Sequence, residues 1–103
     1  MDRMSRQAVA RELQKRHVTA FQMKVLLATY DIPKGEVMSY KQVAKMAGYP
    51  LAYRAVGSVM KMNPLAPDIP CHRVIKSNGD TGNYSGKGGP GAKIRMLKME
   101  KAI

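Results

Sequence analysis

Two capping boxes set the helical phase of this chain. Thr19 stands three residues ahead of Gln22, and Ser39 three ahead of Gln42. At each, a hydroxyl can accept from the N3 amide while the glutamine side chain reaches back to the cap amide. From the first box, Phe21, Val25, Leu26 and Thr29-Tyr30 recur at helical spacing until Pro33-Lys34-Gly35 stops the run. From the second, Val43, Ala44 and Met46-Ala47 face inward and Gly48 supplies the exit. Pro50, suited to a first helical turn, opens another helix through Arg54, Val56 and Met60 to about Met62. Two short helices joined at Gly48-Tyr49 have the layout of a helix-turn-helix. Short helix pairs are common, so the layout alone leaves an ordinary helical bundle open.

The flanks follow the same rules. Residues 1–18 set Arg3, Arg6, Arg11, Lys15 and Arg16 among Val9 and Leu13, with Ser5 as a cap. This predicts a basic helix packed by its Val9-Leu13 edge, in preference to a dedicated DNA-binding arm. His17 near its end reads as a surface residue. Downstream, Arg73-Val74-Ile75 predicts a short strand running into Lys76-Ser77-Asn78-Gly79-Asp80, whose Asn-Gly pair signals a turn, wing-like in position. Residues 86–91 form a glycine-rich stretch without Walker spacing and read as a linker. A final helix from about Ala92 to Lys101 carries Ile94 and Leu97, with Ala102 beyond them and Glu100 near its end. The predicted fold is mainly α: a winged helix-turn-helix-like three-helix core with a very small β element and a C-terminal helix.

At 103 residues there is room for one small domain with a single modest core. Eighteen Lys plus Arg against seven Asp plus Glu give a net charge of +11, which favours a polyanion such as DNA or RNA through phosphate contacts. An anionic membrane surface is the rival, but no long apolar segment or lipidation motif supports it. One cysteine cannot close an internal disulfide, and one cysteine with two distant histidines does not make a structural zinc site, so no metal is expected. A reducing, intracellular setting follows, and the N-terminus has no signal-peptide pattern. The nine methionines suggest an adaptable core.

That cysteine sits in Ile69-Pro70-Cys71-His72-Arg73-Val74-Ile75. A thiol with a pKa near ~8.5 is only a few per cent thiolate at neutral pH, so a nucleophile needs a base or a positive field, and His72 and Arg73 can supply either. Pro70 stiffens the segment that presents it. On residues alone Cys71 stays open between an inert core thiol and a nucleophile.

The longer run Asn63-Pro64-Leu65-Ala66-Pro67-Asp68-Ile69-Pro70-Cys71-His72-Arg73-Val74-Ile75 resembles the active-site segment of the O6-alkylguanine-DNA alkyltransferases, the methylated-DNA-protein cysteine methyltransferases. Gly35-Glu36-Val37-Met38-Ser39-Tyr40, Arg54-Ala55-Val56-Gly57, Gly82-Asn83-Tyr84-Ser85-Gly86 and Glu100 extend the resemblance over about residues 19–100. Residues 1–18, as read above, then form a basic N-terminal helical extension, and the resemblance implies a catalytic and DNA-binding domain of the alkyltransferase C-terminal type over 19–103.

The resemblance further implies direct, single-turnover transfer of an alkyl group from O6 of guanine in double-stranded DNA to the Cys71 sulfur, with no cofactor. His72 would take the thiol proton through a water, and Glu100 would orient the imidazole. Tyr40 would reach the base with its hydroxyl, and Asn63 would brace the turn beneath the cysteine. Arg54 would fill the space left by the extruded nucleotide. Tyr40, Lys41, Ala52, Ser58, Ser77 and Arg73 complete the expected DNA contacts, with Ala55 and Gly57 also small enough for close approach. Tyr84, Ser85 and Val74 are the expected pocket residues. A monomer is expected, located in the cytoplasm, at the nucleoid in a prokaryote or in the nucleus in a eukaryote. The chain is also similar in size to the alkyltransferase-like proteins, which bind such lesions without the cysteine. A non-enzymatic lesion-binding module is therefore the alternative, and a plain helix-turn-helix regulator the third reading.

Overall fold

In a computed structural model describing residues 3–78 and 88–103, five helices surround one core. They are α1 (Arg6–Lys15), α2 (Ala20–Tyr30), α3 (Tyr40–Met46), α4 (Tyr53–Met62) and α5 (Gly89–Met99). Both capping boxes form. In α2 the Gln22 amide donates to Thr19 Oγ1 at 3.0 Å and the Thr19 amide to Gln22 Oε1 at 2.8 Å. Ser39 and Gln42 repeat the pattern at the head of α3 with the same distances. Gly48 closes α3 at φ 92°, a left-handed conformation open to glycine without a Cβ penalty.

α3 and α4 form the helix-turn-helix, and α2 packs behind both. Valines and leucines from all three interlock there: Val25, Leu26, Val43 and Val56 are fully buried, each contributing roughly 1.5–3 kcal/mol. The β element is a two-stranded parallel sheet, β1 (Met38–Ser39) against β2 (Val74–Ile75), with Met38 opposite Val74 and Ser39 opposite Ile75. It ties the start of α3 to the residues just after the cysteine.

α1 belongs to the same core. Val9 and Leu13 are fully buried against it, as their spacing predicts, while the basic residues of the helix face solvent. Its N-terminal end is pinned by the Tyr30 hydroxyl donating to Met4 O at 2.6 Å and by the Met4 amide donating to Asp68 Oδ2 at 3.3 Å. The Arg6–Asp31 pair at 3.1 Å is exposed and adds at most about 1 kcal/mol.

Three boundaries differ from expectation. α4 begins at Tyr53 rather than Pro50, because Pro50 and Leu51 are spent in a turn whose Ala52 amide bonds Tyr49 O at 2.9 Å. α5 begins at Gly89, three residues before the predicted start, because Pro90 sits in its first turn where a missing N–H costs nothing. Residues 71–73, read as partly strand, form a single 3₁₀ turn, and the strand starts at Val74. Of the Asn-Gly pair in the predicted turn only Asn78 is described, and Gly86 and Lys87 lie outside the described residues; residues 88–91 of the glycine-rich stretch, read as a linker, instead form the N-cap and first turn of α5.

Candidate active site

The chain reaches Cys71 through a braced turn. Asn63, at the C-cap of α4, donates from Nδ2 to Ile69 O at 2.9 Å and accepts the Leu65 amide on Oδ1 at 3.1 Å. One side chain thus spans the loop from the end of the helix to the residue two before the cysteine. The Cys71 amide bonds Ile69 O at 2.8 Å, and the 3₁₀ turn then sends His72 and Arg73 back toward the C-terminus.

Both converge on Glu100, the C-cap of α5. His72 Nε2 lies 3.0 Å from Glu100 Oε2, Arg73 Nε donates to Oε1 at 2.9 Å, and Arg73 Nη2 donates to Oε2 at 2.7 Å. Arg73 Nη1 also donates to Ile32 O at 2.8 Å, so the guanidinium bridges the end of α2 to the end of α5. A carboxylate at a helix C-terminus opposes the dipole. Burial too would raise its pKa, but the hydrogen bonds from Arg73 and His72, with their charges, outweigh it and hold Glu100 at about 2. An ionised carboxylate only accepts, so Nε2 carries the shared proton. Burial lowers the pKa of His72 despite the opposing pull of Glu100, which favours the neutral imidazole.

Cys71 is 4% exposed, and that sliver opens on a cavity of about 310 Å³, within the range of small-ligand sites. Tyr40 closes one side; Tyr53, Arg54, Gly57, Met60 and Lys61 of α4 form another; Lys76 stands beyond β2. Burial, and next the neighbouring Cys71, raise the Tyr40 pKa, keeping its hydroxyl protonated. Behind the thiol, Lys93 of α5 is fully buried with Nζ donating to Val74 O at 2.6 Å, and burial brings its pKa down to about 8 against the opposing influence of Cys71.

The predicted residues divide clearly. Cys71 and Tyr40 line one cavity, Asn63 braces the loop that presents the thiol, and His72 pairs with Glu100 outside that cavity's wall. Arg54 lines that cavity, Ala52 is half-buried just ahead of α4, and Lys41, Ser58, Ala55 and Ser77 are exposed. Arg73, expected at the DNA, is instead 8% exposed and fully engaged with Glu100 and Ile32, because a buried guanidinium needs a carboxylate and carbonyls around it. Val74, expected to line the pocket, has its side chain buried in the core and is absent from the cavity wall. Tyr84 and Ser85 lie outside the described residues.

Sequence reasoning missed the places of Tyr53, Met60, Lys76 and Lys93. For Lys93 a signal existed: it shares the inward face of α5 with Leu97 at i+4, a core position that a lysine enters only when its ammonium finds a partner.

The family model for 6-O-methylguanine DNA methyltransferase, DNA binding domain, matches residues 20–102. The methylated-DNA–protein-cysteine methyltransferase of Cricetulus griseus is 50% identical over 82 residues, 79% of this chain and 39% of that protein. Its counterpart from Methanosarcina barkeri is 46% identical over 83 residues, 81% of this chain and 51% of that protein. This chain thus spans about half the length, or less, of these curated relatives. Among solved structures, Mycobacterium tuberculosis OGT in complex with DNA is 42% identical with a TM-score of 0.77, covering 82% of this chain and 52% of that one. S. pombe Atl1 in complex with damaged DNA containing O6-carboxymethylguanine is 34% identical with a TM-score of 0.69, covering 78% and 74%.

Proposed function

Because this chain belongs to the 6-O-methylguanine DNA methyltransferase family, we propose that it repairs double-stranded DNA by moving the alkyl group of O6-alkylguanine onto Cys71 in a single turnover. The observation that carries this reading is a nearly buried thiol in the wall of a cavity, followed in the chain by an imidazole already oriented on an ionised carboxylate.

The target atom lies inside the stack, so the nucleotide is rotated out at a cost of a few kcal/mol. Arg54, an exposed residue lining the cavity, occupies the vacated space, where its guanidinium bonds or stacks on the orphaned base. Lys41, Ser58, Ser77 and the small residue Ala52 meet the DNA around it, with the net charge of +11 supplying sequence-independent affinity. Once the guanine is seated, the thiol proton passes through water to His72. With Nε2 held on Glu100, acceptance falls to Nδ1, and the resulting imidazolium is stabilised by the carboxylate. The sulfur lone pair forms the S–C bond as the C–O6 bond breaks, and the electron pair stays on O6. The protonated Tyr40 hydroxyl at the cavity wall hydrogen-bonds the purine and offsets its developing charge. The thioether product has no easy route back, so each molecule acts once.

Arg73 acts here through Glu100 rather than on DNA, holding the carboxylate ionised and in place. No step draws on a metal or small-molecule cofactor. Among the described residues no helix is long and apolar enough to cross a membrane.

The test is intact-mass analysis after incubation with a duplex containing one O6-methylguanine. The expected result is a single added methyl, mapped to Cys71. An unchanged mass with lesion-selective binding would instead make the chain a recognition module. No preference for the lesion would make it a helix-turn-helix regulator.

A further inference from the structure

The α4 wall of the cavity carries a residue that its role as a close-packing surface does not explain. A helix pressed against DNA needs small side chains, and Ala52, Ala55, Gly57 and Ser58 meet that need, yet Tyr53 places a large ring among them. Tyr53 is 36% exposed, lines the same cavity as Cys71, and has Lys41 Nζ 5.2 Å from its ring centroid. Tyr53, Gly57 and Met60 fall at i, i+4 and i+7, one face of α4, spanning about 10 Å at ~1.5 Å per residue. Between the ring and the thioether, Gly57 leaves the wall open: a Cβ placed there would meet no atom of the other described residues within 4 Å, and its φ is not positive. Glycine weakens a helix interior relative to alanine, and neither its backbone geometry nor packing among the described residues demands it. The result is a strip with an aromatic ring at one end, a thioether side chain at the other and a glycine between, its middle filled by none of the described residues.

From this we propose that Tyr53 is a specificity-determining residue whose ring stacks on the face of the extruded alkylguanine as it lies along the Gly57 strip toward Cys71. This rests on the repair reading above and deepens it. Stacking on a π-face is tolerant of base identity but requires an unstacked base, so Tyr53 favours an extruded nucleotide over an intact duplex. Lys41, drawn to the ring by a cation–π contact, sets its ammonium beside the same nucleotide, where a phosphate would neutralise it.

The experiment measures affinity for a lesion duplex and for the matching undamaged duplex in the Cys71→Ser background, where no transfer intervenes. Tyr53→Ala is expected to lower the affinity for the O6-methylguanine duplex roughly 10- to 100-fold while leaving undamaged-duplex affinity within about twofold. Tyr53→Phe keeps the ring and should retain the lesion preference. Thermal unfolding of each variant tests that the fold is intact. An unchanged lesion preference in Tyr53→Ala, or equal weakening on both duplexes, overturns the stacking role while leaving the repair reading standing. If Cys71→Ser with Tyr53 intact shows no lesion preference at all, the repair reading falls and this inference falls with it.

Discussion

Glu100→Gln isolates the hub of the site, since the substitution keeps the shape and removes the charge. The wild-type carboxylate is 12% exposed and sits at about 2 instead of 4.5. At ~1.36 kcal/mol per pKa unit this is worth roughly 2–3 kcal/mol after partial solvent screening. The pKa is depressed, so this stability is fully present above 4.5 and is lost as pH falls toward 2. Glutamine removes that pH-dependent part and leaves the Arg73 guanidinium without its counter-charge. Unfolding at neutral pH should therefore become easier by about 2–3 kcal/mol, a Tm drop of roughly 10–20 °C for a domain of this size. The amide nitrogen can also donate to His72 Nε2, which moves the ring proton to Nδ1 and leaves no acceptor for the thiol proton. A wrong tautomer costs up to ~10⁴ in a nucleophile-base-orienter triad, and about 10²–10⁴ is expected for single-turnover transfer here. The assay is quenched-flow transfer from a labelled O6-methylguanine duplex, paired with denaturant unfolding between pH 7 and 3. Transfer within threefold of wild type, or an unchanged acid slope of stability, would refute the assignment of Glu100 as the group that orients His72.

The other expectations are independent of that one. Transfer should hold its rate as pH falls through 6.5 and decline only below it, because burial lowers the pKa of His72 and keeps the neutral base; a pH–rate profile with its acid limb above 6.5 would contradict this. Asn63→Ala removes both bonds that span the loop under Cys71 and should cost about 2–3 kcal/mol with a roughly tenfold slower transfer, read by urea unfolding and single-turnover kinetics. Leu13→Ala should cost about 2–5 kcal/mol because the side chain is fully buried, whereas Arg6→Ala, at an exposed pair, should cost no more than about 1; similar losses for the two would mean that α1 is held by its ion pair and not by its apolar edge.

What could be read from the chain alone was whatever is encoded within a few residues. Thr19 with Gln22, Ser39 with Gln42, and Gly48 at an exit each state a local hydrogen-bonding or dihedral requirement, and helices of the expected order resulted. The Cys71-His72 pair and Glu100 were legible because the resemblance spans ordered motifs. The destination of Arg73 was not, because its partners lie 27 and 41 residues away and a guanidinium beside a thiol reads equally well as a DNA contact. Only the folded chain brings the ends of α2 and α5 close enough to bury it. Lys93 and Tyr53 follow the same division. Sequence marks one as charged and the other as aromatic, but packing of α5 against the 3₁₀ turn and of α4 beside the cavity decides that the lysine is buried and the ring lines the cavity. Local codes are short-range in the chain and survive in isolation, whereas burial and charge pairing are set by which distant segments share a neighbourhood, and that neighbourhood exists only once the core has closed.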